Sequence, residues 1–173
     1  IKLKVHYGIL DGLLWYNLLA KAVIDLSKNI YYSKGNVNER DREILTGHKG
    51  GVFWLFGLSG SGKSAISRGV EKNLSLAGIN AYRLDGDNLR SGLNSDLGFS
   101  KEDRFENIRR AAETARLMAQ AGVVVLATFI TPLEENRNTA KGILGEYYNG
   151  IYVKCSLDTC KNRDPKGLYK KAV

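Results

Sequence analysis

Cysteine is scarce in this chain: its 173 residues include two, Cys155 and Cys160, with four residues between them. No CxxC pair or Cys/His repeat accompanies them, which argues against a zinc site and a disulfide framework. Both fall in an apolar stretch and read as buried, reduced thiols, an expectation that fits the cytoplasm. Long apolar runs are lacking too. The longest stretch, residues 9–26, is interrupted by Asp11, Asn17, Lys21 and Asp25 and is too polar for a membrane span. Asn17, Lys21 and Asp25 recur every four residues, so a helix there would carry one polar stripe on an apolar rod that must bury against something. The start shows no charged region followed by a compact apolar core and a small-residue cleavage site, so no secretory signal is expected. Internal repeats are absent, and no surface interleaves aromatic with basic residues, which argues against nucleic acid as a partner.

What is present is an ordinary globular balance, 43% hydrophobic and 25% charged. The 26 Lys and Arg against 18 Asp and Glu give a net charge of +8, which favours an anionic partner without choosing one. The length suits one compact α/β domain. A polar run from Ser33 to Glu43, expected to contain a short helix, separates an N-terminal apolar helical extension (1–32) of unknown role from the domain proper (33–173). Strands are predicted over 52–56, 81–84, 123–130 and 151–155, and helices over 63–77, 133–144 and 157–163. A further helix begins after Ser100, with Asp103 as the reciprocal half of a capping box. Phe105, Ile108, Ala112, Ala115 and Ala119 give it helical spacing. Alternating strands and helices imply a mainly parallel sheet with right-handed crossovers and a ligand beyond the carboxyl ends of the strands.

Three turns at that edge carry chemistry. Gly57-Leu58-Ser59-Gly60-Ser61-Gly62-Lys63-Ser64 fits G-x-x-x-x-G-K-[ST], after an apolar strand and before a helix. Glycines let backbone amides turn inward around a phosphate chain, Lys63 reaches the β- and γ-phosphates, and the Ser64 hydroxyl can ligate Mg²⁺. Asp85-Gly-Asp-Asn88 ends the second strand on the same side. Its two carboxylates could orient metal-bound water and deprotonate an attacking hydroxyl, although Asp-Gly is also common turn chemistry. Arg90, Arg104, Asn107, Arg109 and Arg110 form the third set. Arg104 and Asn107 share a helix face, and guanidinium forks suit phosphate and sulfate oxygens, the alternative being a solvated face. Arg109 and Arg110 cannot share one direction, so at least one has a solvent or salt-bridging role. Phe99 is either a staple beneath the helix or a stacking surface for a base.

Together these residues resemble the adenylylsulfate kinase (APS kinase) family, including the kinase domain of bifunctional PAPS synthases. The resemblance runs from about Asn29 onward. It rests on the phosphate loop, Asp85-Gly-Asp-Asn88, Gly92-Leu-Asn94 with Asp96-Leu-Gly-Phe-Ser100, Asp103-Arg104, Glu106-Asn-Ile-Arg-Arg110, Phe129-Ile-Thr-Pro132 and Arg163-Asp-Pro-Lys-Gly-Leu-Tyr-Lys-Lys-Ala172. It implies a P-loop NTPase-like three-layer α/β/α fold, and transfer of the ATP γ-phosphoryl to the 3′-hydroxyl of adenosine 5′-phosphosulfate (APS), giving PAPS and ADP with Mg²⁺. By position, Asp87 would receive the hydroxyl proton and Asp85 would act on the metal's water shell. Arg90, Arg104 and Asn107 would hold the phosphosulfate and ribose, Phe99 would stack on adenine, and Ile130 would touch substrate. Arg163 would pack on the ATP base, and Lys166 belongs to the lid. Relatives are often dimers, which leaves a homodimer open.

Three departures accompany the resemblance. Thr131 stands where the family has a serine regarded as a phosphorylated intermediate, so it is carried as a candidate catalytic residue. The chain stops within the lid, implying that the last strand and helix are missing and leaving its own turnover in question. Residues 1–28 have no counterpart. A nucleotide-binding remnant without turnover and a gluconate- or shikimate-type kinase are the alternatives.

Overall fold

The computed structural model describes residues 33–172. The chain divides at Asn36/Val37 into two units, and the second holds the sheet and its helices. The helical extension expected over residues 1–32 lies outside the described residues. Among those described, no helix is long and apolar enough to cross a membrane.

Within the polar run, Asn38 caps helix α1 (Glu39–Thr46) through a full capping box with Asp41. Strand β1 (Gly51–Phe56) follows, then α2 (Lys63–Leu76), β2 (Ala81–Asp85), the short α3 (Gly86–Arg90), α4 (Lys101–Gln120), β3 (Val124–Phe129), α5 (Glu134–Leu144), β4 (Tyr148–Tyr152) and α6 (Leu157–Arg163). The four strands are parallel and lie in the order β2-β3-β1-β4. Right-handed crossovers in that order put α2 on one face and α4 with α5 on the other, the α/β/α layering expected. All six residues of β3 are buried, as a strand covered on both faces must be.

The principal core lies between the sheet and α4–α5. Val52, Trp54, Val125, Ala127 and Phe129 meet Ile108, Ala111, Ala112, Ala115 and Leu144 there. The small alanines let α4 approach the sheet closely. Trp54 stacks on Phe129 with ring centroids 4.8 Å apart, an arrangement that adds about 1 kcal/mol beyond area burial. Its indole Nε1 donates to Thr131 Oγ1 at 3.2 Å.

Four expectations are corrected. Strand β4 covers Tyr148–Tyr152, three residues before the predicted 151–155, because its register with β1 pairs Val52 with Tyr148 and Phe56 with Tyr152. Of the predicted run only Val153 is buried, Ile151 and Tyr152 being 40% and 58% exposed, and the ladder ends where β1 ends. The acidic turn after β2 is a helical turn, α3, capped by Asp85 through Asp87 N–H. The capping box at Ser100 is half formed. Ser100 Oγ accepts from Asp103 N–H, while Asp103 Oδ2 accepts from Gly98 N–H instead of returning to Ser100. Phe105, placed on the core stripe of α4, is 41% exposed, and the buried stripe runs through Ile108, Ala111, Ala112, Ala115 and Ala119.

Candidate active site

The site is built on the carboxyl ends of β1, β2 and β3. After β1 the chain makes the glycine-rich turn, and its glycines are required by geometry. Gly57 has φ +144°, and a Cβ there would lie 2.6 Å from Val153 O. Gly62, at φ +104°, caps α2 with no side-chain bond of its own. Lys63, the first residue of α2, is buried and turns back so that Nζ donates to Gly57 O at 2.9 Å and Leu58 O at 2.7 Å. Burial lowers its pKa, and the positive charge of Lys166 pushes the same way, against smaller opposing effects of Cys160 and Asp85.

Asp85 ties the turns together. Its Oδ2 accepts from Ser64 Oγ at 3.0 Å and from Thr128 Oγ1 at 2.8 Å, and its Oδ1 accepts from Asp87 N–H at 3.1 Å. Arg83 Nη1 lies 3.5 Å from Oδ2. Burial works to raise this carboxyl's pKa, but the bonds from Thr128, Asp87 and Ser64, with the Arg83 charge, outweigh it and hold it below the usual carboxylate range. Asp87 is exposed in the first turn of α3, where its carboxylate meets Lys166 Nζ in an ion pair.

The third set gathers around an exposed ring. Phe99 is 71% exposed, which removes the staple reading. The Arg90 guanidinium lies 4.6 Å from its centroid and that of Arg104 5.9 Å away. Arg90 Nη1 also donates to Gly98 O at 2.7 Å, and Arg104 Nε to Phe99 O at 2.8 Å, so both arginines fix the loop that presents the ring. Asn107, three residues after Arg104 on α4, is buried and accepts from Asn94 Nδ2. Arg109 and Arg110 both turn to Glu106, and Arg110 also grips Asp96 through two bonds of 2.7 and 2.9 Å. Neither joins the cluster at Phe99. Their side-chain bonds draw the Glu106 carboxyl down to about 2.

The chain after α6 returns to the phosphate-binding turn. Arg163 Nη1 donates to Gly60 O at 3.3 Å, and Tyr169 OH donates to Ser59 O at 3.0 Å. Ile130 is half exposed just past β3. Thr131 is not open in this way. It is 1% exposed, with its hydroxyl engaged by Trp54, so the structure gives it a post in the core rather than a face toward the phosphate turn. Arg137 Nη1 holds the turn after β3 by donating to Thr131 O at 2.9 Å and Pro132 O at 2.7 Å.

Residues 49–173 match the family model described as adenylylsulphate kinase. The chain belongs to the adenylylsulphate kinase family. It is 49% identical over 146 residues to an adenylyl-sulfate kinase of Clostridium acetobutylicum, spanning 84% of this chain and 73% of that relative. An adenylyl-sulfate kinase of Oceanobacillus iheyensis is 52% identical over 147 residues, spanning 84% and 74%. Among solved structures, the Mycobacterium tuberculosis APS kinase CysC in complex with AMPPNP and APS superposes with a TM-score of 0.69 at 48% identity, covering 71% of this chain and 73% of that one.

For a member of the adenylylsulphate kinase family, two residues of this site escaped the sequence reading. Thr128 sits inside an apolar strand, where nothing local marks its hydroxyl as a partner of Asp85. Tyr169 lies 110 positions from Ser59, and only the return of the chain brings the two together.

Proposed function

We propose that this chain transfers the γ-phosphoryl group of ATP to the 3′-hydroxyl of APS, forming PAPS and ADP. The reading rests on family membership and on one juxtaposition: the backbone N–H of Asp87 bonds to Asp85, which bonds in turn to Ser64 of the phosphate turn, so the exposed Asp87 carboxylate stands two residues beyond the group that meets that turn. A carboxylate so placed can take the proton of a hydroxyl attacking a phosphate held at that turn.

The backbone amides of residues 57–64 and the start of α2 cradle the triphosphate, and Lys63 exchanges its carbonyl partners for phosphate oxygens. The oxygen donors at this point, Ser64 Oγ and the Asp85 carboxylate, fit Mg²⁺. That ion typically takes one or two protein ligands and completes its shell with water and phosphate. Ser64 would hold it directly and Asp85 through water, and the ion would supply charge neutralisation to the phosphates.

On the acceptor side, Arg90, Arg104 and Asn107 bind the phosphosulfate and ribose, Phe99 offers its exposed face to the adenine, and Ile130 borders the pocket. Arg163 packs by the ATP base, and Lys166 closes over the reacting groups. The nucleophilic 3′-oxygen gives its proton to Asp87, bonds to the γ-phosphorus, and ADP leaves. Phosphoryl transfer of this kind draws its rate from positioning and charge, and no covalent residue is needed. Thr131 therefore has no chemical part. The reaction suits the cytoplasm, where ATP is supplied.

A coupled assay of PAPS and ADP formation from APS and ATP tests this reading, and stoichiometric formation of both is expected. Phosphorylation of a sugar acid with APS inert would replace the substrate. Nucleotide binding without PAPS at high protein concentration would reduce the chain to a binding module.

A further inference from the structure

Asn94 is fully buried in the loop between α3 and α4, at 0% exposure. Its backbone is fixed on both sides: its N–H donates to Leu89 O at 2.8 Å, and its carbonyl accepts from Leu97 N–H at 3.1 Å. Its side-chain Nδ2 donates to Asn107 Oδ1 at 3.0 Å. Its own Oδ1 is buried with no hydrogen-bond partner. A buried, unpaired amide oxygen costs free energy that an apolar side chain of similar size would not incur. Stability therefore does not explain an asparagine here, and what remains is the bond it makes.

That bond decides which end of Asn107 faces outward. A primary amide has an acceptor end and a donor end, and a half-turn about its last torsion swaps them. With Oδ1 occupied by Asn94, Asn107 keeps its NH2 group for another partner, and that group donates to no protein atom among the described residues. An amide donor is complementary to phosphate, sulfate and hydroxyl oxygens, whereas an outward Oδ1 would repel the first two.

We propose that Asn94 is a positioning residue that clamps the Asn107 carbonyl oxygen, so that Asn107 presents its NH2 donor to the anionic acceptor nucleotide. This rests on the assignment of Asn107 to the APS side of the site. Asn107→Ala tests that assignment separately: it should raise the KM for APS and leave that for ATP, so failure of the assignment is distinguishable from failure of the clamp.

Two variants probe the clamp. In Asn94→Asp the new carboxylate accepts from Asn107 Nδ2, the amide turns over, and its oxygen faces the substrate. The KM for APS should rise roughly tenfold or more, the scale of a hydrogen bond to a charged group, while the KM for ATP stays within about twofold. Near-normal APS affinity in folded Asn94→Asp would mean that Asn107 already turns its oxygen outward, and would overturn the proposal. Should the buried carboxylate prevent folding, Asn94→Leu serves. It removes the unpaired Asn94 Oδ1 but leaves Asn107 Oδ1 without its donor, so the melting temperature should shift little while APS affinity, measured by calorimetry, falls. Combined with Asn107→Ala, it should weaken APS binding no further than Asn107→Ala alone. Additive losses, or equal losses for ATP and APS, would reduce Asn94 to a packing residue and sink the idea.

Discussion

Lys166 Nζ and Asp87 Oδ2 form an ion pair that spans 79 positions of sequence and joins the segment after α6 to the first turn of α3. Both side chains remain about half exposed or more, at 49% and 64%. A pair so open to water contributes roughly 0–1 kcal/mol, so an incoming anionic substrate can part it at little cost.

Asp87→Asn keeps the size of the side chain and removes its basicity. Turnover is expected to fall about 10²–10⁴-fold, the usual worth of a general base, with ATP affinity by calorimetry kept. Near-normal turnover would take Asp87 out of the proton path.

Lys63→Ala removes the ammonium that the turn holds 2.7 Å from Leu58 O. A loss of about 10²–10³-fold in kcat with weaker ATP binding is expected, as for other charge-stabilising groups. Unaltered kinetics would contradict the phosphate-turn assignment.

Arg104→Ala should raise the KM for APS by more than that for ATP, since its guanidinium is held at Phe99. Equal effects on both substrates would count against that position.

Thr131→Val tests the core role of a residue first considered for chemistry. The variant should retain PAPS formation and lose about 1–3 kcal/mol of stability, because the buried Trp54 Nε1 would be left without an acceptor. Loss of turnover at unchanged stability would restore a chemical role.

Glu106 predicts an acid limb. Its folded-state pKa of about 2 lies below the ordinary 4.5 because Arg109 and Arg110 bond to it. A lowered carboxylate pKa contributes stability above the unfolded value and loses it as the pH falls through the folded one. Thermal melts of wild type should therefore decline between pH 4.5 and 2 more steeply than those of Glu106→Gln. Parallel curves would show the network to be energetically idle.

The local pieces were legible because their chemistry is local. The phosphate turn needs glycine at positive φ and a lysine at the start of a helix, and both requirements show in eight consecutive residues. The limits of α6 were read to the residue, since Ser156 caps one end and Asp164-Pro165 closes the other. Where partners are distant, the reading fell short. The frame of β4 is set by pairing with β1, which no window of its own sequence contains. Asp103 looked like half of a capping box because the spacing fits, yet the loop before α4 brings Gly98 N–H into reach first. Arg109 and Arg110 could be separated from the arginines at Phe99 only in part. Their positions forbid a shared direction, but the pull of Glu106 on both, and of Asp96 on Arg110, emerges with the fold.

One oxygen atom, Asp85 Oδ2, receives the hydroxyls of Ser64 and Thr128. It thereby fastens the ends of two neighbouring strands to the helix that follows the glycine turn. Cutting that knot would slacken three stretches of backbone at once, and a dead enzyme altered at Asp85 could not say whether scaffold or reaction had failed. Asp87, moored only at the surface, is where the two can be separated.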